Sequence, residues 1–515
     1  MTNIPTPQAA DLVAGKWLPI PGSEIVSICP ANPAQVLWQG MPVLDHVDAA
    51  VAAANAAQPV WAAWPCEKRF AVLRDYAARC KARVDEIARC IANETGKALW
   101  DSKAEAGILA GKVGITLEQS EHSGMSRVSD YEVPLTESRT GRTWFRPHGV
   151  MAVIAPFNFP AHLANGHIVP ALAMGNTIVL KPSDKTPAVG QLLISIFQEA
   201  LEAADAPAGV VNLVQGGAQT AKKLTTHADI DGILFTGSWS VGRRILQANL
   251  DNPGRIIALE MGGNNPAVIM PDCNFAQAAI ECARAAFITT GQRCTCTRRI
   301  IVHRDIADRF IKALCKIGTH LRIGDPFDTD PVFMGPIISD EARQAVFDAQ
   351  SRFASQGGEV LLESTPIESE KGAFLLGPSV VRVDRFHKNS TDDAGCDCEV
   401  FGPLVRVSVT DSLDDAIEQA NATQFGLAAS IFTTNQDDAE QFLLRARAGC
   451  VNVNAGTAGA SSKLPFGGLG KSGNHRPAGA FSLDYCAFPS AGMLEEGTDA
   501  TVPTGMTVED AWLGS

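Results

Sequence analysis

The stretch that decides the fold is Val150–Pro187, VMAVIAPFNFPAHLANGHIVPALAMGNTIVLKPSDKTP. Its first residues, VMAVIAP, form a short apolar run that predicts a buried strand, and the segment that follows predicts a helix ending at Gly175-Asn176. The residues TIVLK then predict a second strand. A strand, a helix and a strand in this order form a βαβ unit, the building block of a parallel, nucleotide-binding sheet. The sequence therefore predicts an α/β fold.

The same alternation continues beyond this unit. The pattern predicts a helix over 189–204, the strand VVNLV, and a helix over 218–226. Asp231–Gln247, DGILFTGSWSVGRRILQ, then predicts a strand, a glycine turn and a helix. Gly237 and Gly242 are separated by four residues, which does not match G-x-G-x-x-G, so this turn alone is a weak dinucleotide signal.

Length and composition limit the class of protein. A chain of 515 residues predicts two or three domains, and a hydrophobic content of 46% is ordinary for a globular protein. No apolar run of about 18 residues suggests a membrane span, and the start lacks the pattern of a signal peptide. Thirteen scattered cysteines fit a reducing cytoplasm. The net charge of −13 argues against nucleic acid as a partner and means that an anionic substrate needs a local basic pocket.

The N-terminal third is expected to be scaffold. Residues 1–45 predict a small β layer, and the alanine-rich pattern over 45–99 predicts three helices. Glu94–Trp100 reads as a helix end with a glycine stop and is assigned no chemistry. Within 127–149, the pattern predicts two strands around a turn at Thr140-Gly141. This hairpin is either an oligomer contact or a simple surface hairpin.

A reactive thiol is the most informative candidate. The segment Asp272–Phe287 predicts a helix, and FITTGQRCTCTRR (Phe287–Arg299) follows it with a turn at Gly291 that presents Cys294. A thiol attacks only as thiolate, and a helix end or a nearby cation lowers its pKa. On its own, Cys294 is equally one of thirteen cysteines of the small, buried, apolar kind.

Three polar residues stand at predicted strand ends, each with two interpretations. Asn158 either caps the following helix or donates a hydrogen bond to an oxyanion. Lys181 either contacts a ribose or phosphate group, or it is simply a solvated residue at the end of a strand. Glu260, before the paired glycines Gly262-Gly263, is either a general base or a structural carboxylate.

Two other functional classes are weaker. The string LGKSG is not a Walker A loop, because Pro465 occupies the place of the first glycine. Two C-x-C pairs, Cys294/Cys296 and Cys396/Cys398, suggest a zinc site, but their spacing is not the usual C-x₂-C. A non-catalytic binding role is a further alternative, and no metal is expected.

Seven strings in order resemble the aldehyde dehydrogenase superfamily: FNFP, KPSD, FTGS, LEMGG, GQRC, EVFGP and PFGG. The resemblance implies a Rossmann-type cofactor domain, an α/β catalytic domain and a β-hairpin oligomerisation element, in a homodimer or homotetramer. The implied cofactor domain comprises 1–126, 147–258 and 471–486. The implied catalytic domain is 259–470, and 127–146 with 487–515 form the oligomerisation hairpin and the C-terminal tail.

The resemblance also implies roles for individual residues. Cys294 becomes the nucleophile, Glu260 the base that activates water, and Asn158 an oxyanion donor together with the backbone N–H of Cys294. The residues implied to bind NAD are Lys181, Ser183, Asp184, Gly217, Phe235, Gly237, Ser238, Gly242, Glu399 and Phe401.

A narrower resemblance concerns the substrate. Strings such as RPHGVMAVIAPFNFPAHLANGHIVPAL and SGNHRP are similar to one subgroup of the family, the enzymes of arginine catabolism that oxidise an N-succinylglutamate semialdehyde. The expected substrate is therefore an acidic aldehyde, with succinate or glutamate semialdehyde as alternatives. The expected substrate-binding residues are His162, Arg293, Phe466 and Arg476. His162 is four residues after Asn158, so the two are expected to share one helix face.

Two further expectations concern Asp184 and Cys296. Asp184 stands where the family usually has Glu, and a carboxylate there predicts NAD rather than NADP because it would repel a 2′-phosphate. Cys296, two residues from Cys294, either forms a reversible disulfide with it after oxidation or is an inert core residue.

Overall fold

The computed structural model describes residues 8–120 and 122–514 of the chain. The α-helices are α1 Asp45–Ala63, α2 Cys66–Ala82, α3 Val84–Thr95, α4 Leu99–Leu117, α5 His162–Ala173, α6 Pro187–Ala203, α7 Ala218–Thr225, α8 Trp239–Ala248, α9 Phe275–Phe287, α10 Arg304–Thr319, α11 Asp340–Ser355, α12 Leu413–Ala420 and α13 Gln436–Arg445. The strands are β1 Ala10–Val13, β2 Lys16–Pro19, β3 Ile25–Cys29, β4 Asn32–Gly40, β5 Tyr131–Pro134, β6 Arg139–Pro147, β7 Val150–Ile154, β8 Thr177–Lys181, β9 Val211–Leu213, β10 Gly232–Thr236, β11 Ile256–Glu260, β12 Asn265–Ile269, β13 Thr297–His303, β14 Glu359–Leu362, β15 Ser379–Arg382, β16 Leu404–Thr410, β17 Ala428–Phe432, β18 Cys450–Val453, β19 Pro465–Phe466, β20 Ala478–Gly479 and β21 Ala487–Glu495.

The predicted βαβ unit forms the centre of the first seven-stranded sheet. Its strand order is β11-β10-β7-β8-β9-β1-β2, and the strands from β11 to β9 run parallel. The pairs Ile154–Lys181 and Thr236–Glu260 align the carboxyl ends of four strands along one edge. The strand order reverses beside β7, and ligands of such sheets bind in the crevice at a reversal of this kind. The α/β expectation is confirmed.

The second seven-stranded sheet has the order β14-β15-β16-β13-β12-β17-β18, and only β14 runs antiparallel to its neighbour. The chain passes from the first sheet to the second between Glu260 and Asn265. Gly262 and Gly263 lie in this crossing. A Cβ at Gly262 would overlap the Glu399 carboxylate, and one at Gly263 would lie 2.7 Å from the Cys294 carbonyl oxygen. Both glycines are therefore needed for the close approach of the second half of the chain.

The helical N-terminal scaffold agrees with the sequence up to Leu99. The three predicted helices are α1, α2 and α3, and Gly96 ends α3 in the left-handed conformation at φ 73°. The N-terminal β layer is also present, with β1 and β2 added to the first sheet and β3 and β4 paired separately. The sequence analysis did not foresee α4, which packs against α5 and supplies one wall of the site described below.

The hairpin turn was predicted at the wrong place. Two strands do form, but the reversal lies between Pro134 and Arg139, where the Leu135 N–H donates to the Arg139 carbonyl at 2.9 Å. Thr140 and Gly141 lie inside β6 instead. They pair there with Leu494 and Met493 of β21, so that β21, β6 and β5 form a three-stranded sheet. The long β6 depends on a partner some 350 residues further on, which local turn signals could not reveal.

Residues 496–514 are almost all exposed, with one short 3-10 turn at Asp510–Trp512. Within 8–120 and 122–514, none of the helices combines the length and the apolar character needed to cross a membrane.

Candidate active site

A sharp reversal presents Cys294 after α9. The helix starts at an Asn274 cap, whose side chain accepts from the Gln277 N–H at 3.2 Å. After the helix, Thr289 and Thr290 adopt positive φ angles of 55° and 53°. Their hydroxyl groups hold this unusual conformation, because Thr289 Oγ1 donates to Asp101 (2.6 Å) and Thr290 Oγ1 to the Gly335 carbonyl (2.7 Å).

Buried polar side chains fix the loop that carries Cys294. The Arg298 guanidinium donates to the carbonyl oxygens of Gly291 (2.6 Å) and Arg293 (3.1 Å). On the other side, the Asn265 amide donates to the carbonyls of Cys294 (2.7 Å) and Cys296 (2.8 Å). The backbone around the thiol is therefore held by a side-chain network rather than by regular secondary structure.

Cys294 lines a cavity of about 210 Å³, and Glu260 lines the same cavity. Burial raises the pKa of the Cys294 thiol to about 12, and the negative charges of Glu260 and Glu399 act in the same direction. The expected lowering of the thiol pKa by a nearby cation is thus absent from the cofactor-free chain.

Glu260 is the last residue of β11, at the edge that faces the crevice. Its Oε2 is buried without a hydrogen-bond partner, and burial raises its pKa well above the usual value, with a backbone hydrogen bond from Ala478 acting against that rise. Gly467, from the PFGG string, leaves room for the carboxylate, since a Cβ there would lie 3.1 Å from Glu260 Oε1. A carboxylate in such a place is a strong base once it is ionised.

Asn158 lies next to the loop that carries Cys294. Its side-chain amide donates to the Gln292 carbonyl at 3.0 Å. Since α5 begins at His162, Asn158 belongs to the turn before the helix, and the expectation that it shares a helix face with His162 was wrong. The structure nevertheless brings Asn158, Cys294 and Glu260 to one region.

One group of predicted cofactor residues lies beyond β8. Lys181, the last residue of β8, is buried, and burial lowers its pKa to about 8 while the charge of Asp184 acts in the opposite direction. Ser183 Oγ donates to Asp184 Oδ1 at 3.4 Å. A Cβ at Gly217 would lie 3.9 Å from Asp184 Oδ2, with no other atom nearby. Asp184 and Gly217 therefore border open space beyond the carboxyl end of β8.

A second group lies at the start of α8. Ser238 is the residue before the helix, and its hydroxyl contacts that of Ser240 at 3.0 Å. A Cβ at Gly237 would lie 2.5 Å from the Phe235 ring, and one at Gly242 would overlap the Met261 sulfur. These two glycines permit close packing of the helix start against the sheet. A helix N-terminus of this kind attracts phosphate groups.

Glu399 and Phe401 approach the same crevice from the second half of the chain. Glu399 Oε1 accepts from the Gly263 N–H at 3.0 Å, and burial raises the pKa of this carboxyl although Arg298 opposes the rise. The Phe401 ring packs edge-on against Phe157 at 5.8 Å between centroids. Phe157 directly precedes Asn158, so Phe401 lies near the proposed oxyanion donor.

Three of the four predicted substrate residues line the cavity of Cys294. These are His162, Arg293 and Phe466. Burial, then the charges of Lys112 and Lys97, lower the pKa of His162 to about 4, so its ring is neutral at physiological pH. Arg293 is paired with Asp101 at 2.7 Å.

The structure does not bring Arg476 into that cavity. Its guanidinium contacts the carbonyl of the adjacent His475 at 3.1 Å, and its side chain lines two other cavities, of about 250 and 380 Å³. The first of these also contains Glu260, whereas Cys294 lines neither.

Lys112, on α4, and Thr236 escaped the sequence analysis. Both line the cavity together with His167, whose ring contacts the Thr236 hydroxyl at 3.1 Å. A signal for Lys112 existed, because it is the one charged residue in the run Ala106–Leu117, AGILAGKVGITL. Behind the wall, Lys97 and Glu105 form a fully buried ion pair of 2.5 Å, in a segment that had been assigned no chemistry.

Cys296 is buried among the apolar side chains of Ala285, Ile288 and Ala458, and its thiol approaches the Ile288 carbonyl at 3.8 Å. This environment favours the interpretation as a core residue over that of a redox partner. Across the described ranges, no group of three or more His, Cys, Asp or Glu side chains is arranged to hold a metal ion.

Comparison with known proteins supplies the class. A family model described as the aldehyde dehydrogenase family matches residues 17–488. The match spans most of the chain, so the protein belongs to the aldehyde dehydrogenase family, and the predicted family is confirmed.

Individual relatives have names that give more detail than the family description. The chain is 40% identical over 498 residues to an N-succinylglutamate 5-semialdehyde dehydrogenase from Ectopseudomonas mendocina (strain ymp), an alignment that covers 96% of this chain and 98% of the relative. A glyceraldehyde-3-phosphate dehydrogenase from Methanocaldococcus jannaschii, solved with NADP, is 28% identical with a TM-score of 0.84, covering 92% of this chain and all of that one. An indole-3-acetaldehyde dehydrogenase from P. syringae, solved with NAD⁺, is 26% identical with a TM-score of 0.88, covering 96% and 97%.

Proposed function

We propose that this protein oxidises N-succinyl-L-glutamate 5-semialdehyde to N-succinyl-L-glutamate with NAD. The observation that carries the reaction type is the placement of Cys294 and Glu260 in the wall of one cavity, with Asn158 hydrogen-bonded to the nucleophile loop. The name of the relative that is 40% identical over nearly the whole chain supports the substrate.

Cys294 acts as the nucleophile. Its thiolate adds to the aldehyde carbon and converts the carbonyl oxygen into an alkoxide. The Asn158 amide and the backbone N–H of Cys294 donate hydrogen bonds to that oxygen, and one such donor typically stabilises the transition state by about 3–4 kcal/mol. The loop network of Arg298 and Asn265 keeps the thiol in place for this step.

A nicotinamide cofactor supplies the hydride acceptor of this oxidation when it is bound. The residues present fit such a group. The start of α8 suits a pyrophosphate. Asp184, beside open space at Gly217, and Lys181, at the end of β8, suit the adenosine ribose. Glu399, which accepts from the Gly263 N–H, suits the nicotinamide ribose. Asp184 supports NAD, because its carboxylate would accept hydrogen bonds from ribose hydroxyls and repel a 2′-phosphate.

Glu260 completes the reaction as the base. The acyl group left on Cys294 is a thioester, and its hydrolysis needs a water molecule from which a proton is removed. Glu260 shares the cavity with Cys294, and its Oε2 has no partner in the protein. Burial makes this carboxylate a stronger base than a solvated one.

The proposed domain organisation is the one that the resemblance implies. The cofactor domain comprises 1–126, 147–258 and 471–486, and the catalytic domain 259–470. The three-stranded sheet of β5, β6 and β21 serves as a dimer or tetramer contact, which is supported by its exposed apolar side chains, Tyr131, Val133, Leu135, Met493 and Leu494. A cytoplasmic location is supported by the thirteen cysteines, each of which carries a free thiol.

The test is a steady-state comparison of three aldehydes, each with NAD and with NADP. N-succinylglutamate semialdehyde should give the highest kcat/KM, above succinate semialdehyde and glutamate semialdehyde. Cys294→Ala should abolish the oxidation of all three while NAD still binds. A higher kcat/KM for succinate semialdehyde or glutamate semialdehyde would show that this other aldehyde is the preferred substrate. If Cys294→Ala keeps activity within tenfold of the wild type, Cys294 is not the nucleophile.

A further inference from the structure

Lys112 is a buried cation with no carboxylate partner among the described residues. It lies on α4, is 3% exposed and lines the cavity of Cys294. Its Nζ donates to the Gly479 carbonyl (2.7 Å) and to Ser482 Oγ (2.5 Å), which are both neutral. By contrast, Arg293 in the same wall is neutralised by Asp101.

A buried charge that lacks a counter-ion is unfavourable, so the position needs an explanation. Burial lowers the pKa of Lys112 to about 8. The ammonium form therefore still predominates at neutral pH, and the cavity holds a positive charge in its wall. An anion that enters the cavity would supply the missing partner.

His162 lines the same cavity and has an unused polar atom. Its Nδ1 is buried without any hydrogen-bond partner, and the ring is held neutral by burial and by the nearby lysines. A neutral imidazole carries one N–H donor, and an ionised carboxylate accepts hydrogen bonds at two oxygens. The lysine and the histidine together are thus complementary to one carboxylate.

We propose that Lys112 and His162 form the part of the pocket that binds a carboxylate of the substrate while its aldehyde group reaches Cys294. This inference rests on the proposed function and deepens it, because it says which residues select an acidic aldehyde. Ile108, Phe159 and Leu163 form an apolar part of the same wall, which suits the methylene groups between the two ends of the substrate.

The hydrogen bonds of Lys112 also allow a different role, in which the lysine only stabilises the structure. Gly479 belongs to β20, which pairs with β19, the strand that contains Phe466. A lysine that only fastens this hairpin would affect the binding of every aldehyde alike. A lysine that binds the carboxylate would affect only the charged ones.

The experiment measures KM and kcat of Lys112→Met at saturating NAD with three aldehydes: the N-succinyl and N-acetyl derivatives of glutamate semialdehyde, and hexanal. Loss of a hydrogen bond to a charged group should raise KM for the two acidic aldehydes about ten- to a hundredfold. The KM for hexanal should change less than about threefold, and kcat should change little. Lys112→Arg should recover part of the loss.

Lys103→Met is the matched control. Lys103 lies on the same helix, is exposed and pairs with Asp85, so this variant removes the same charge without touching the cavity. It should behave as the wild type. A KM increase in Lys103→Met as large as that in Lys112→Met would overturn the proposal, because the effect would then come from net charge alone.

The other outcomes are equally decisive. A parallel rise in KM for hexanal and the acidic aldehydes in Lys112→Met would establish the structural role and overturn the proposal. A rise confined to the N-succinyl compound would support it and assign Lys112 to the distal carboxylate, whereas equal rises for both derivatives would support it and assign the α-carboxylate.

If the proposed function itself is wrong, the wild-type enzyme will have a higher kcat/KM for hexanal than for either acidic aldehyde. Should Lys112→Met not fold, His162→Leu carries the same comparison. Equal changes for charged and neutral aldehydes in that variant would overturn the proposal.

Discussion

The side-chain amide of Asn158 donates a hydrogen bond of 3.0 Å to the backbone carbonyl of Gln292, two residues before Cys294. Asn158 follows β7 of the first sheet, whereas Gln292 belongs to the loop that follows α9. This bond therefore ties the loop that carries Cys294 to the carboxyl edge of the first sheet. It uses one of the two N–H groups of the amide and leaves the other for an oxyanion.

We expect Asn158→Ala to lower kcat about 10²–10³-fold, which is the usual effect of removing one oxyanion donor. The dissociation constant of NAD, measured by fluorescence titration, should stay within a factor of about three, because Asn158 is not among the residues proposed to bind the cofactor. Asn158→Asp serves as the isosteric comparison and should also be slow, since a carboxylate cannot donate. A wild-type kcat in either variant would contradict the oxyanion role.

Glu260→Gln should separate the two halves of the reaction. Acylation of Cys294 does not need the carboxylate, so a burst of NADH close to one equivalent per site should precede a slow steady state. Rapid-mixing absorbance at the NADH band measures both phases. A mutant with no burst and a normal steady-state rate would show that another group activates the water.

The raised pKa of Glu260 also fixes the sign of a pH dependence. The carboxyl is an acid, so a higher pKa means that the active, ionised base is present only at higher pH. The deacylation rate, taken from the steady state after the burst, should therefore rise with pH, and this rise should lie at higher pH than the titration of an ordinary glutamate. In Glu260→Gln the deacylation rate should no longer rise with pH. If it still rises, a different group is responsible for the pH dependence.

The thiol of Cys294 should be unreactive in the cofactor-free protein. With a pKa of about 12, only about one thiol in ten thousand is ionised at pH 8, and that fraction grows about tenfold per pH unit. Alkylation by iodoacetamide, followed by mass spectrometry of the Cys294 peptide, should accelerate accordingly between pH 7 and 10. The exposed Cys66 provides an internal reference that reacts faster at pH 7. Rapid modification of Cys294 at pH 7 would contradict the raised pKa and show that the thiol is ionised at neutral pH in spite of its burial.

The βαβ unit and the reactive loop were predictable because their signals are local. Apolar runs bounded by glycine and proline set out β7, α5 and β8, and the order of the seven strings carried the family. The turn of the hairpin was misplaced because β6 is extended by pairing with β21. No local pattern contains information about a partner so far away in the chain.

The contents of the substrate cavity were harder to foresee for a similar reason. Arg476 looked suitable because it follows the PFGG string, but its side chain faces other cavities. Lys112 was overlooked because α4, the helix that carries it, was not predicted, and its proposed role depends on how α4 packs against α5. A charged residue in an uncharged helical run is a signal only when burial is known.

Asp184→Ala should reduce the preference for NAD. Loss of hydrogen bonds to the ribose hydroxyls should lower kcat/KM with NAD, and loss of the repulsion should raise it with NADP. The ratio of the two values should change about tenfold, as for one hydrogen bond of ordinary strength. Asp251→Ala, at another exposed aspartate, removes the same charge and should leave the ratio unchanged. A ratio in Asp184→Ala equal to that of the wild type would place the cofactor selectivity elsewhere.

Lys97→Met should destabilise the fold more than any surface charge change. Lys97 and Glu105 are both fully buried and are 2.5 Å apart, and Glu105 also accepts from the backbone N–H groups of Ala161 and His162 at the start of α5. Removing the lysine leaves a buried carboxylate without its partner, which typically costs about 3–5 kcal/mol of unfolding free energy. Lys103→Met, which breaks the exposed pair with Asp85, should cost less than about 1 kcal/mol. Urea denaturation followed by circular dichroism measures both. A difference of less than 1 kcal/mol between the two variants would mean that Glu105 is adequately held by the backbone of α5 alone, and the wall of the cavity would then not depend on the ion pair.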